Sequence, residues 1–152
     1  MNGLEGEKLL KKAEAIARKA HDGQFRYDDK TPFIEHPKYV AELFIITKRL
    51  PIVIHHYDYE AMIVAWLHDV IEDSSMTYDV LINEGIPIDL VYTISILTRN
   101  EKESYLNYIL RIKRNELARK VKLADLAHNI LTSNNKHQVD KYLLAQHILG
   151  TI

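Results

Sequence analysis

His68 and Asp69 stand side by side in an apolar segment, with Glu72 and Asp73 one helical turn further on, and this placement constrains the fold more than any other feature of the chain. The flanking Ala61, Ile63, Val64, Ala65, Leu67, Val70 and Ile71 predict a central helix from about Tyr59 to Ile71. On such a helix His68 and Glu72 share one face at i, i+4, and Asp69 and Asp73 share its neighbour. A buried carboxylate without a partner is strongly destabilising, so the fold must bring a partner to both groups. A metal ion is the natural one. Taken alone, the octapeptide Trp66 to Asp73 also reads as a solvated acidic helix end with an ordinary surface histidine.

The rest of the chain reads as helices. Leu9, Leu10, Ala13, Ile16, Ala17 and Ala20 recur at helical spacing between Glu7 and His21, and Gly23 stands where that helix would stop. Asp22 to Glu35 turns to Gly, Asp, Lys and Pro, a loop of a length that is often functional. Pro37 suits the first turn of a second helix carrying Val40, Ala41, Leu43, Phe44 and Ile45, closed by Pro51. Ser75 or Thr77 caps a short helix ending at Gly85, and Pro87 to Thr98 gives another. Ser104 opens a helix through Arg114, Leu117 to about Leu131 forms the next, and Val139 to Leu149 forms the last. With no strand alternation of any length, no repeat and no linker, the expectation is one all-α domain over residues 1–152.

Composition narrows the chemistry. A chain of 152 residues buries enough surface to fold without disulfides or metal as scaffolding, so a metal would be functional. A formal charge of −1 gives no global basic field, which argues against duplex nucleic acid as a partner. The absence of cysteine removes thiolate ligands and nucleophiles, leaving His and carboxylate to hold any ion. No stretch approaches the ~20 apolar residues of a membrane span, and the amino terminus lacks a signal-like apolar run, so a cytoplasmic protein is expected.

Further candidate ligands follow. His36 precedes Pro37 at a helix start, beside a loop carrying Arg26 and Lys30, and can project into a cleft; a capping or surface role is the alternative. Asp125 lies mid-helix with Asn129 at i+4, among residues whose pattern suggests burial, including Ala124 and Ala127. His55, His56, His137 and His147 lack acidic company and read as ordinary surface histidines. His21 and His128 suit supporting roles, His21 bracing the loop.

Four runs then form an ordered set: Ala20-His21-Asp22-Gly23-Gln24-Phe25-Arg26; Pro32-Phe33-Ile34-Glu35-His36-Pro37; His68-Asp69-Val70-Ile71-Glu72-Asp73; and Val121-Lys122-Leu123-Ala124-Asp125 with His128, Asn129 and Thr132. Together they resemble the HD-type hydrolase domain of the RelA/SpoT family, over about residues 9 to 132. The resemblance implies an all-α, HD-type helical bundle and a Mn²⁺-dependent enzyme that removes the 3′-pyrophosphate of the alarmones ppGpp and pppGpp. It further implies that His36, His68, Asp69 and Asp125 bind the metal and that Glu72 and Asp73 position or activate the attacking water. Arg26 would lie against the purine, Asn129 and Thr132 would face ribose and base, and Lys122 would serve the phosphates. Two imidazoles and two carboxylates independently suit Mn²⁺, and one His-Asp set suits a single ion.

Departures from the family pattern bear on the substrate. After Arg26 the chain reads Tyr27-Asp28-Asp29-Lys30-Thr31, where a basic residue and Ser-Gly are usual; Phe33 replaces a common tyrosine; Leu126 and Leu131 replace frequent arginines. The end at Ile152, without a synthetase domain, suggests a small stand-alone hydrolase. Alternatives at the same reaction centre are an adenine alarmone or NADPH as substrate. A nucleotide-binding regulatory module without turnover is the alternative from another class. Oligomeric state is left open.

Overall fold

The computed structural model describes residues 1–150, with the side chains of Arg49 and Leu50 excepted; the last two residues of the expected domain, Thr151 and Ile152, lie outside the described residues. The fold is mostly helical, as read from the sequence. Helix α1 (Gly3–Ala20) starts on the Asn2 side chain, which accepts from Glu5 N. It ends at His21, and Gly23 takes φ 72°, a left-handed value suited to glycine. The loop to residue 34 closes on itself through a bridge between Phe25 and Pro32. Helix α2 (Glu35–Glu42) carries His36 in its first turn.

Helix α3 (Tyr59–Leu67) is the centre of the core: every residue from Ala61 to Leu67 is buried, and it packs against α1, α2 and two later helices. Gly6 permits the close approach of α1, since a Cβ there would sit 2.5 Å from the Tyr59 ring. The expected single helix to Ile71 is interrupted. His68 and Asp69 form a turn, with Asp69 at φ −102°, ψ −6°, and α4 (Val70–Asp73) restarts beyond it. Neighbouring side chains on an unbroken helix point about 100° apart, and the turn lets His68 and Asp69 face one spot.

Helices α5 (Tyr78–Asn83), α6 (Ile88–Leu97), α7 (Tyr105–Lys113), α8 (Glu116–Thr132) and α9 (Lys136–Gly150) follow the predicted order. Thr77, Ser104 and Asn115 each accept a backbone N–H as N-cap. Helix α8 packs against α2, α3, α6, α7 and α9, placing its Asp125 opposite the α3–α4 turn.

A second expectation is overturned. The second helix does not run to Pro51: after Leu43 the chain forms an antiparallel hairpin, β1 (Ile45–Leu50) and β2 (Ile52–Tyr57), with Ile45 opposite Tyr57 and Thr47 opposite His55. Two β-branched runs, Ile45-Ile46-Thr47 and Ile52-Val53-Ile54, flank Pro51, and such residues favour strand over helix. All of β2 is exposed, so neither face is selected to be apolar and no alternation appears. His55 and His56 are accordingly exposed strand residues.

Candidate metal centre and nucleotide cleft

Four of the sequence-derived residues converge on one point. His36 Nε2 lies 2.9 Å from Asp125 Oδ1 and 3.6 Å from Asp69 Oδ2. His68 Nε2 lies 3.1 Å from Asp69 Oδ2 and 3.6 Å from Asp125 Oδ1. Adjacent donors around an ion with bonds of about 2.1 Å sit about 3 Å apart, so this spacing fits a single divalent ion. His36, His68 and Asp125 are all buried, with donor atoms within 4.8 Å of one another.

The ring orientations also fit. The carbonyl of Ala65 can only accept, so His68 Nδ1, 2.6 Å away, carries a proton, and Nε2 is the nitrogen that would bind an ion. That Nε2 is buried and has no hydrogen-bond partner among the described residues. His36 Nδ1 meets His128 Nδ1 at 2.7 Å, and the His128 ring stacks on Tyr39 at 4.3 Å. Burial, followed by the charges of His36 and Arg26, pulls the His128 pKa down to about 4. His128 is therefore neutral near pH 7 and can accept from His36, leaving His36 Nε2 free to bind a metal. Burial disfavours the charged forms throughout the cluster, but mutual attraction prevails. Asp69 is held at about 2 chiefly by His68, and Asp125 well below the usual carboxylate range by Lys122, His36 and His68.

The remaining predicted residues surround this cluster. Lys122 Nζ donates to Asp125 Oδ2 at 2.7 Å, and Asn129 Nδ2 donates to Asp125 Oδ1 at 2.7 Å. Arg26 Nη2 donates to Asn129 Oδ1 at 2.9 Å and to Thr132 Oγ1 at 3.1 Å, so loop, α8 and cluster form one connected network. Glu72 accepts from the Arg99 backbone N–H, whereas the Asp73 carboxylate has no hydrogen-bond partner among the described residues. Partial desolvation in the cleft wall raises both acids, with Asp69 adding to the effect, and carries Asp73 to about 6. His21 Nδ1 holds Gln24 Oε1 at 2.8 Å, and Gln24 Nε2 donates to Asp73 O at 2.6 Å, tying the loop to the end of α4.

A cleft of about 320 Å³ opens beside the cluster. It is lined by Arg26, Asn129, Asp69 and Asp73, and also by Arg99, Lys141, Tyr105 and Tyr142, with Lys141 Nζ 4.4 Å from the centre of the Tyr105 ring and 5.6 Å from that of Tyr142. Sequence reasoning missed this second group. Arg99 comes from the α6–α7 connection and Lys141 from α9, and no local motif marks either. Burial, then the charges of Arg99 and Lys122, lowers the Lys141 pKa. Of the departures, Asp28 turns out to be structural, bonding the N–H groups of Lys30 and Thr31 and the Thr31 hydroxyl. Phe33 packs against His21 with the rings tilted and their centres 4.6 Å apart, Leu126 is core and Leu131 is exposed. Ala127, expected to be buried, is also exposed.

Fold and site together define a helical domain with a buried His/Asp group whose donors could hold a metal ion. No family model matches the chain. It is 39% identical over 127 residues to a guanosine-3′,5′-bis(diphosphate) 3′-pyrophosphohydrolase of Haemophilus influenzae, covering 77% of this chain and 17% of that protein. It is 34% identical over 136 residues to the bifunctional (p)ppGpp synthase/hydrolase SpoT of Escherichia coli, covering 82% of this chain and 18% of that protein. The chain thus spans less than a fifth of the length of these curated relatives. In structure it is similar to a metazoan orthologue of SpoT described as hydrolysing ppGpp, with a TM-score of 0.67 and 18% identity over 93% of this chain and 83% of the other, a likeness of fold. The resemblance to the RelA/SpoT hydrolase family carried by the four motif runs is borne out by these relatives. No described helix is long and apolar enough to cross a membrane.

Proposed function

We propose that this chain is a metal-dependent (p)ppGpp hydrolase, releasing pyrophosphate from the 3′ position and leaving GDP or GTP. The observation that carries the reading is the compact His36, His68, Asp69 and Asp125 group, with the Asp73 carboxylate beside it in a cleft walled by cations. In this reading those four residues hold one Mn²⁺, a borderline-hard ion suited to two imidazoles and two carboxylates. Such an ion, when bound, lowers the pKa of coordinated water and neutralises charge on phosphate.

The chain's own residues supply the remainder. Asp73, pushed up to about 6, is largely ionised at neutral pH yet basic enough to accept the proton of the attacking water. Glu72, held by the Arg99 N–H, fixes the end of α4 against the α6–α7 connection. Lys122 and the crowded Arg99–Lys141 side supply positive charge for two phosphate groups, as a 3′,5′-bis(diphosphate) requires. Arg26, Asn129 and Thr132 form the nucleoside end. Residues 1–152 act as one domain in this reading, and a cytoplasmic setting belongs to the same proposal because guanine nucleotides are cytoplasmic metabolites. Duplex nucleic acid and membranes are not its partners.

Replacing Asp73 by Asn removes the proton acceptor while keeping its shape. Steady-state kinetics on ppGpp should show kcat down by roughly 10²–10⁴ with KM little changed. An unaltered kcat would remove Asp73 from this role.

A further inference from the structure

We infer that Arg111 and Glu103, two residues outside the cleft, form a clasp that positions Arg99 for a substrate phosphate; the inference rests on the phosphate role given to Arg99 above. Arg99 lines the cleft, and neither Glu103 nor Arg111 is among the lining residues. Arg111 grips Glu103 as a fork, Nε donating to Oε1 at 2.9 Å and Nη2 to Oε2 at 2.8 Å, with the glutamate side chain only 14% exposed. The same guanidinium closes the end of α6, its Nη1 donating to Ile96 O at 2.9 Å and its Nη2 to Thr98 O at 3.2 Å. Tyr108, also on α7, donates to Leu97 O at 2.5 Å. The last carbonyls of α6, which a helix end leaves without helical partners, are thus satisfied from α7.

The clasp fixes both ends of the 98–103 segment. Thr98 leaves the helix with extended backbone (φ −86°, ψ 118°), and Glu103 N donates to Asn100 O at 3.1 Å, closing a tight turn. Arg99 is held inside that segment at two points. Its backbone N–H donates to the Glu72 carboxylate, and its Nε and Nη2 donate to the Glu103 backbone carbonyl at 3.1 and 3.0 Å. Nη1 makes no hydrogen bond among the described residues, so the guanidinium retains donors for an anion. A mobile arginine would lose side-chain freedom on gripping phosphate; here the fold has already restrained it, and such preorganisation raises affinity. The carbonyl that orients Arg99 belongs to the residue whose carboxylate Arg111 holds. Arg111 and Glu103 are therefore positioning residues, acting on the cleft through the 98–103 segment.

A double-mutant cycle tests this. Wild type, Arg99→Ala, Arg111→Gln and the double variant are titrated with inorganic pyrophosphate by calorimetry in the presence of Mn²⁺, with kcat and KM for ppGpp measured beside them. Positioning predicts that each single variant weakens pyrophosphate about tenfold and raises KM for ppGpp, and that the double variant is no weaker than Arg99→Ala alone. Should Arg111→Gln fail to fold, Glu103→Ala takes its place in the cycle, since it keeps the backbone carbonyl under Arg99 and frees the segment. Glu103→Gln, which retains an acceptor for Arg111, should recover most of the affinity lost in Glu103→Ala. Losses that add in the double variant, unchanged pyrophosphate binding in Arg111→Gln or Glu103→Ala, or no pyrophosphate binding by wild type overturns the inference. A non-additive cycle without any ppGpp turnover would retain the clasp and sink the hydrolase reading, and turnover with an additive cycle would do the reverse.

Discussion

In the proposed metal centre, His128 is a side chain outside the ligand set that would govern it. Its Nδ1 sits where the His36 proton must go if His36 Nε2 is to bind an ion, and its ring is held by stacking on Tyr39. His128→Phe keeps the stack and deletes the acceptor, so Mn²⁺ affinity should fall by roughly 10–100-fold while the helical circular dichroism is retained. Titration of Mn²⁺ followed by electron paramagnetic resonance reads this directly. Asp28 makes a different point. Its hydrogen bonds to Thr31 and Lys30 hold its pKa at about 2, below the unfolded value of 3.8. The stability it contributes is therefore present in full above the unfolded value and disappears as pH falls through the folded one. The thermal advantage of wild type over Asp28→Ala should be larger at pH 5 than at pH 3; an advantage that grows on acidification would contradict the assignment.

At the scale of elements, the site is made where secondary structure stops. The α3–α4 turn points two adjacent candidate ligands at one spot, the first turn of α2 supplies His36, and α8 alone contributes its acid from mid-helix. Helix α8 depends on the Asn115 cap, whose side chain accepts from Ala118 N at 2.8 Å. Asn115→Ala should cost about 1 kcal/mol, seen as a Tm about 2–4 °C lower, with kcat unaffected because the cap lies at the far end from Asp125. The helices that bury an apolar stripe were legible in the sequence, as were the caps at Thr77 and Ser104. The hairpin was not, since strands exposed on both faces carry no period-two signal, and Pro51 reads equally as a helix stop or a turn. The break at His68–Asp69 was hidden by apolar residues that continue without interruption on either side.

Across the whole molecule, charge is arranged by polarity rather than by excess. The chain carries 20 Lys and Arg against 21 Asp and Glu, yet one cleft gathers Asp69, Asp73 and Asp125 with Arg26, Arg99, Lys122 and Lys141. A net charge near zero could not disclose this, and Arg99 and Lys141 were illegible because tertiary packing alone, including that of α9 on α7 and α8, brings them to the site. The centre, by contrast, could be read from four short runs, because a ligand set must be carried by particular residue types.

The most direct test resolves products by phosphorus NMR. Mn²⁺-loaded protein is incubated separately with ppGpp, its adenine analogue and NADPH, beside Asp125→Asn as the variant that removes a charge from the cluster. The account predicts GDP and pyrophosphate from ppGpp, with turnover reduced more than about a hundredfold in the variant. Turnover of ppGpp undiminished in Asp125→Asn, or release of products only from another nucleotide, would contradict it.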